Sequence, residues 1–442
     1  MQKYGNKEIL KISFPVLVSL LMEQIVGLTD TAYLGRVGET ELAASALAGV
    51  FYLVIFMIGF GFSIGAQVLI ARRNGEGRYE AIGSIFTQGM AFLLMFGALL
   101  FALSRIFSPR IMALFIESPQ ICDAAVRYLD WRVCGFFFSF AAVMFRAFYV
   151  GTTRTRILTA NSIVMVLTNV VLNYVLIFGK FGFPALGIAG AAIASAVAEA
   201  VSAGFFIVYT RMRCDWRRYR LFEFRGINPR QLGEILSVAV WIMLQEGLAF
   251  LSWFIFFLCI EHLGERPLAA TNIVRSISSM LFMFVAAFAS TASSLVSNLI
   301  GAGRSGEIMP LCRRVIRLCY CFVVPLSLVV AFAPRLFLGI YTDNAGLAEF
   351  SIPSLLVMLT SFVPCVPGIT YQFCVSGTGD TRAALGLVLA TLAVYVAYTV
   401  WLVYGLRADV AVCWTTDHVY YLMLTVICYL YMRSGRWRRN RI

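Results

Sequence analysis

Residues 21–36 read LMEQIVGLTDTAYLGR. They form the far half of the first apolar run, which begins near Ile9 and ends near Leu34, and they hold two carboxylates, Glu23 and Asp30. A run of that length crosses a hydrocarbon core of ~30 Å with some tilt. Inserting a carboxylate into such a segment costs roughly 2.5 kcal/mol or more, so the acid survives only by facing protein or water. One reading is an ion or proton site turned toward a central cavity. The other is that both acids lie near the helix ends and are solvated. Asp30 is the stronger candidate for a site, because it has polar company later in the chain.

The whole composition agrees with a chain built for lipid. Of 442 residues, 60% are hydrophobic and 13% charged, and the mean hydropathy is +0.83. No soluble domain of this size has that balance. The apolar runs are continuous and do not alternate every second residue, which excludes an outer-membrane barrel and points to an all-α polytopic membrane protein. The 11 cysteines are scattered singly, without a CxxC, and read as small buried hydrophobes. His262 and His418 fall at segment ends, which leaves little for a zinc site. The first apolar run is too long for a signal peptide and lacks a small-residue cleavage site, so it reads as a retained helix.

Twelve spans are expected, near 9–34, 46–71, 84–106, 121–150, 158–179, 187–210, 232–263, 269–300, 312–341, 351–376, 383–404 and 411–432. With both termini placed inside, the inner segments hold 25 Lys and Arg and the outer ones 7. That asymmetry puts both termini in the cytoplasm, and it accounts for the net charge of +13 without nucleic acid. The longest hydrophilic stretch, residues 211–231, mixes Arg with Trp216, Tyr219, Phe222 and Phe224, as a segment lying on the inner interface would.

That stretch separates two halves that repeat. At an offset of 226 residues, Glu8-Ile9-Leu10 meets Glu234-Ile235-Leu236, and Leu42-Ala43-Ala44 meets Leu268-Ala269-Ala270. The same offset carries Gly75-x-Gly77-Arg78 onto Gly301-x-Gly303-Arg304, Gly151-Thr152 onto Gly377-Thr378, and Thr155-Arg156 onto Thr381-Arg382. An offset of six spans keeps the orientation, so the reading is two six-helix bundles with pseudo-two-fold symmetry along the membrane normal. The expected organisation is an N-lobe over 1–210, a cytoplasmic interfacial linker over 211–231, a C-lobe over 232–432 and a basic tail over 433–442. Two such bundles with a cleft between them suit an alternating-access transporter.

The chemistry-bearing residues are few. Asn169 and Asn173 are four apart in the fifth span, so both amides share a face. With a carboxylate they can ligate a hard cation such as sodium; alone, such a pair serves as interhelical glue. The sixth span is lined with small residues and places Ser195 and Glu199 on one face, with no basic partner for Glu199 in that helix. The seventh span carries Gln245 and Glu246. Asp30, Glu199 and Glu246 come from three helices in two halves, which suggests a shared aqueous cavity. Glu23 and Gln245 join this set as cavity and substrate candidates. Pro15 supplies a bend in the first helix.

LTDTAYLGRVG, the small-residue sixth span, the GxGR that follows the second and eighth spans, and FRAFYVGTTRTR with its echo QFCVSGTGDTR carry a resemblance across essentially the whole chain. Together they resemble the multidrug and toxic compound extrusion (MATE) antiporters, of the bacterial NorM/DinF-like type. The resemblance implies a secondary efflux antiporter of the inner membrane that exports cationic or amphipathic small molecules against sodium ions or protons. It implies no cofactor, no enzymatic activity and action as a monomer, with small molecules and membrane lipid as its only partners. By the family pattern, Asp30 matches the first-helix aspartate of an N-lobe cation site, and Asn169, Asn173 and Ser195 match its fifth- and sixth-helix partners. A bound sodium would fall to Asp30, Asn169 and Asn173. Glu246 matches the seventh-helix glutamate of the C-lobe, and Pro15 sits where the family's first helix bends. Two departures stand out: Asn173 is an amide where some members have an aspartate, and Cys365 stands about where some carry a tenth-helix aspartate. Coupling is therefore expected in the N-lobe.

Two further classes compete with export. A flippase for a lipid-linked saccharide shares the two-lobed plan but lines its cavity with arginines, for which Arg146 and Arg275 are the main candidates here. A membrane-embedded transferase needs a catalytic His or a loop cluster of acids, and neither is visible.

Overall fold

The computed structural model describes residues 4–116, 118–223, 226–342 and 344–439. Phe224, and Lys3, Arg225 and Arg441 among the 25 inner basic residues, lie outside the described residues. Within them there is helix and no strand, as a chain in lipid requires when every peptide group must find its partner internally.

The helices of the first half are α1 Asn6–Leu34, α2 Glu39–Gly75, α3 Tyr79–Phe115, α4 Pro119–Arg132, α5 Gly135–Gly151, α6 Arg156–Phe178 and α7 Ile188–Arg213. A short α8, Trp216–Tyr219, follows. The second half runs α9 Pro229–Glu261, α10 Glu265–Gly301, α11 Ile308–Phe332, α12 Pro334–Leu338, α13 Ala345–Gly377, α14 Thr381–Val400, α15 Val410–Cys413 and α16 Thr415–Ser434. Among the described residues, eleven spans are long and apolar enough to cross a membrane, and α4 with α5 makes a twelfth if the bent pair counts as one.

Two expected spans are corrected. The run over 121–150 is broken at Val133–Cys134, with α4 and α5 bent by 51°. The break falls where Arg132 turns its side chain into an ion pair on α7. The run over 312–341 stops at Phe332, because Pro334 has no N–H to continue the ladder and restarts the chain as α12.

The repeat is visible in local backbone. Helices α2 and α10 begin and end at the same offset of 226 residues. Each closes on a glycine in the left-handed region, Gly77 at φ 72° and Gly303 at φ 73°. In each, the following arginine amide reaches back to a carbonyl five residues earlier, Arg78 to Arg73 at 3.0 Å and Arg304 to Leu299 at 2.8 Å. That is a Schellman cap, which needs a residue free of Cβ at the turn. The GxGR motif is thus the end of a helix.

By internal packing the chain forms two units, Val18–Met243 and Met1–Leu17 with Leu244–Ile442. In the first, α6 and α7 run antiparallel and are stitched by buried polar pairs; Asn161 and Ser202 exchange bonds of 2.9 and 3.1 Å. Such pairs serve where lipid offers no hydrophobic drive for helix association. Small side chains at Ala44, Ala48, Ala124, Ala191 and Ala192 form part of a buried cluster that brings α2, α4 and α7 together. The linker is strapped to α3: Gln88 donates to the Gly226 carbonyl at 2.7 Å and accepts from the Asn228 amide at 3.0 Å. A Cβ on Gly83 would sit 1.9 Å from the Tyr219 carbonyl oxygen, so only glycine lets α8 approach so closely.

The other unit packs Phe256, Phe288, Val366 and Trp414 into one core. All 11 cysteines are free and most are buried, which fits their use as small apolar fillers. Helix α13 passes through Pro353, Pro364 and Pro367. Pro367 cannot donate to the Val363 carbonyl, and the Tyr320 hydroxyl of α11 does so instead, at 2.5 Å.

Candidate functional site

Asp30 lies in the last turns of α1, Asn169 and Asn173 in α6, and Ser195 in α7. The two asparagines are fully buried and Ser195 nearly so. Their side chains close a ring. The Asn173 amide nitrogen donates to Asp30 Oδ1 at 2.5 Å and to Asn169 Oδ1 at 3.0 Å. Asn169 donates to Ser195 Oγ at 3.1 Å, and Ser195 donates to Asp30 Oδ2 at 2.9 Å. Two of the four bonds end on the aspartate, one on each carboxylate oxygen. One acceptor is left over: Asn173 Oδ1 is buried and has no partner. The four residues that the family resemblance grouped thus stand together, with the two amides on one face of α6 as their spacing implies.

Glu199 is engaged elsewhere. Arg132, at the end of α4, grips it with two bonds of 2.7 and 2.9 Å. The Arg132 guanidinium lies 3.8 Å from the Tyr52 ring centroid, and Tyr52 stacks on Phe136 at 4.6 Å. Tyr52 also reaches Glu199 at 3.4 Å and Ser139 at 3.0 Å. Arg132 is close enough to Asp30 to act on its charge. Nothing on α7 itself names Arg132 as the partner; only the fold brings α4 and α7 together at this point.

Glu23 is half exposed and accepts from Arg146 at 2.9 Å, and Arg146 lies 5.8 Å from the Phe60 ring. Pro15 is buried within α1, whose helix runs through it unbroken. In the other unit, Glu246 is half-buried on α9 and, among the described residues, makes no hydrogen bond or ion pair. Gln245 beside it is buried, with its Oε1 unpartnered. Sequence reading passed over Asp417, which is buried on α16 and faces Arg275 of α10 at 3.8 Å. Among the described residues no three His, Cys, Asp or Glu side chains gather as a metal cluster. Any cation held at Asp30 would therefore rely on neutral amide and hydroxyl oxygens.

The family model for MatE matches the chain twice, over residues 15–175 and 242–402, starting 227 residues apart and so within one residue of the offset read from sequence. A probable multidrug resistance protein NorM of Rhizobium meliloti is 28% identical over 337 residues, covering 76% of this chain and 72% of the relative. One from Synechocystis is 27% identical over 405 residues, covering 88% and 85%. In fold, the chain is similar to a MOP superfamily transporter from Pyrococcus furiosus, with a TM-score of 0.90 at 16% identity over 98% of this chain and 97% of that one. A eukaryotic MATE transporter gives 0.86 at 18% identity over 98% and 96%. With most of both halves matched, the chain belongs to the MatE family of integral membrane transporters.

Proposed function

We propose that this chain is a secondary multidrug efflux antiporter of a bacterial inner membrane, exporting cationic or amphipathic small molecules in exchange for sodium ions or protons. The observation that carries the reading is the closed ring about Asp30, with its spare acceptor at Asn173 Oδ1. A sodium ion there takes oxygen from Asp30, Asn169 and Asn173, the hard donors such a cation prefers. A proton on Asp30 achieves the same neutralisation. Either ion lets α1 shift past apolar neighbours, with Pro15 as the flexing point. The names of the bacterial relatives support drug efflux. The flippase alternative loses ground, because Arg146 and Arg275 each face a carboxylate and do not form a free basic lining.

The membrane potential supplies ~2.3 kcal/mol per charge per 100 mV. At about 1.4 kcal/mol per decade, one net charge moved supports roughly a fifty-fold substrate gradient. The test is export from proteoliposomes under separately imposed sodium and pH gradients, comparing wild type with Asp30→Asn. Driven export should vanish in the variant. Unchanged export under both gradients removes Asp30 from the mechanism.

A further inference from the structure

The unit Val18–Met243 carries a charged pair next to the Asp30 ring that the ring itself does not account for. Ser195 and Glu199 are one turn apart on the same face of α7. Ser195 donates to Asp30 Oδ2, while Glu199 accepts two bonds from Arg132. The helix face that completes the ring therefore also holds the guanidinium. Arg132 is near enough to act on the charge of Asp30. Tyr128, one turn earlier on α4, is within electrostatic range of Asp30, Arg132 and Glu199 together.

The guanidinium is fixed from more than one side. Glu199 takes both of its terminal nitrogens, and the Tyr52 ring of α2 lies 3.8 Å from its carbon. Tyr52 is held in turn by a bond to Ser139 of α5 and by stacking on Phe136. Among the described residues, the charged and titratable groups of this cluster are Asp30 from α1, Tyr52 from α2, Tyr128 and Arg132 from α4, and Glu199 from α7. A buried ion pair is a weak source of stability, because desolvating two charges offsets most of their attraction. An apolar pair would join α4 to α7 as well, but it would not supply a fixed positive charge beside Asp30. The ring gives the aspartate only two hydrogen bonds, and an ionised carboxylate away from water is costly to leave without a counter-charge. A nearby guanidinium stabilises the empty, ionised aspartate and opposes an arriving cation.

We propose that Arg132 is a positioning residue for ion coupling: its charge, partly offset by Glu199, makes the Asp30 site release the cation it binds. Without that charge the site fills and stays filled. With the charge unopposed, the site stays empty. The pair holds the site between these limits, so that it loads and unloads in each cycle.

This inference rests on the export reading above, and the experiment separates the two. Ethidium uptake is measured into phosphatidylcholine proteoliposomes holding the full chain, under graded sodium and graded proton gradients. The quantity read is the ion concentration giving half-maximal uptake, under whichever gradient drives the wild type. Arg132→Gln should lower it by about tenfold and Glu199→Gln should raise it by about tenfold, the lower end of what a neighbouring charge does to a carboxylate. The double variant, which loses both charges together, should return to within about threefold of wild type. Glu199→Asp keeps both charges, and so the fold, but draws the carboxylate back by one methylene; it should raise the value by about threefold. Only protein recovered folded by size exclusion is reconstituted. Opposite shifts from two variants that both weaken the same contact are what a merely structural pair cannot give. Shifts of the two single variants in one direction, or no shift in Glu199→Asp and in whichever single variants fold, overturn the proposal and leave export standing. Wild-type vesicles that take up no ethidium under either gradient overturn the export reading and this inference with it.

Discussion

Arg132 and Glu199 stand on helices α4 and α7 and meet through two hydrogen bonds, with their side chains only 12% and 16% exposed. Removing one member of such a pair strands the other charge. Glu199→Gln or Arg132→Gln should each destabilise the chain by about 3 kcal/mol, and the double variant should cost much less than the two losses combined. Unfolding in detergent, followed by tryptophan fluorescence, measures this. Strictly additive losses would show that the two charges are not coupled.

Gly135 reports on the same pair from the backbone side. A Cβ there would stand 2.2 Å from Glu199 Oε2 and 2.6 Å from Arg132 Nη1. Gly135→Ala should therefore cost about 2–3 kcal/mol in the wild-type background, comparable to breaking the pair. In a Glu199→Ala background the nearest atom is gone and the released Arg132 guanidinium can swing aside, so the added cost should fall below about 1 kcal/mol. A penalty that is the same in both backgrounds would refute the steric account.

The sequence reading went furthest where periodicity does the work. Apolar runs gave the helices because lipid leaves the backbone no other choice. Spacing on α6 gave Asn169 and Asn173 a common face, and the short link to α7 brought Ser195 opposite them. Pairings between distant helices were not legible. Nothing near Glu199 in the sequence names Arg132, and nothing near Arg275 names Asp417. The break at Val133–Cys134 was hidden for a related reason: α4 carries Asp123, Arg127, Asp130 and Arg132 where α5 is far more apolar, but the ion pair beside the break exists only in three dimensions. GxGR was visible as a repeat, but its work as a cap depends on the positive φ of Gly77 and Gly303.

Asn173 divides its amide hydrogens between Asp30 and Asn169 and keeps its carbonyl oxygen free. Asn173→Ala removes both the clamp on Asp30 and the spare acceptor. The coupling-ion concentration giving half-maximal export should rise by about tenfold, the scale seen when a ligand's support is lost. Substrate binding without the ion should change little. An unaltered ion dependence would take Asn173 out of the site.

Charge asymmetry fixes the expected topology. With 25 basic residues on the inner segments and 7 on the outer, a green fluorescent protein fused after the last residue should fluoresce in cells. Alkaline phosphatase fused at Lys180, between α6 and α7, should be active, since that enzyme matures only outside the cytoplasm. The reverse pattern would invert the orientation.

Tyr320 supplies from α11 the hydrogen bond that Pro367 denies to α13. Tyr320→Phe should leave the fold intact but speed hydrogen exchange of the amides flanking Pro367, because the Val363 carbonyl then has no partner. The pliancy of one helix is in this way set by a hydroxyl on another. Mutation at position 320 can make α13 stiffer or looser without changing any residue of α13 itself, so the chain can adjust how readily it bends while the proline that makes bending possible stays where it is.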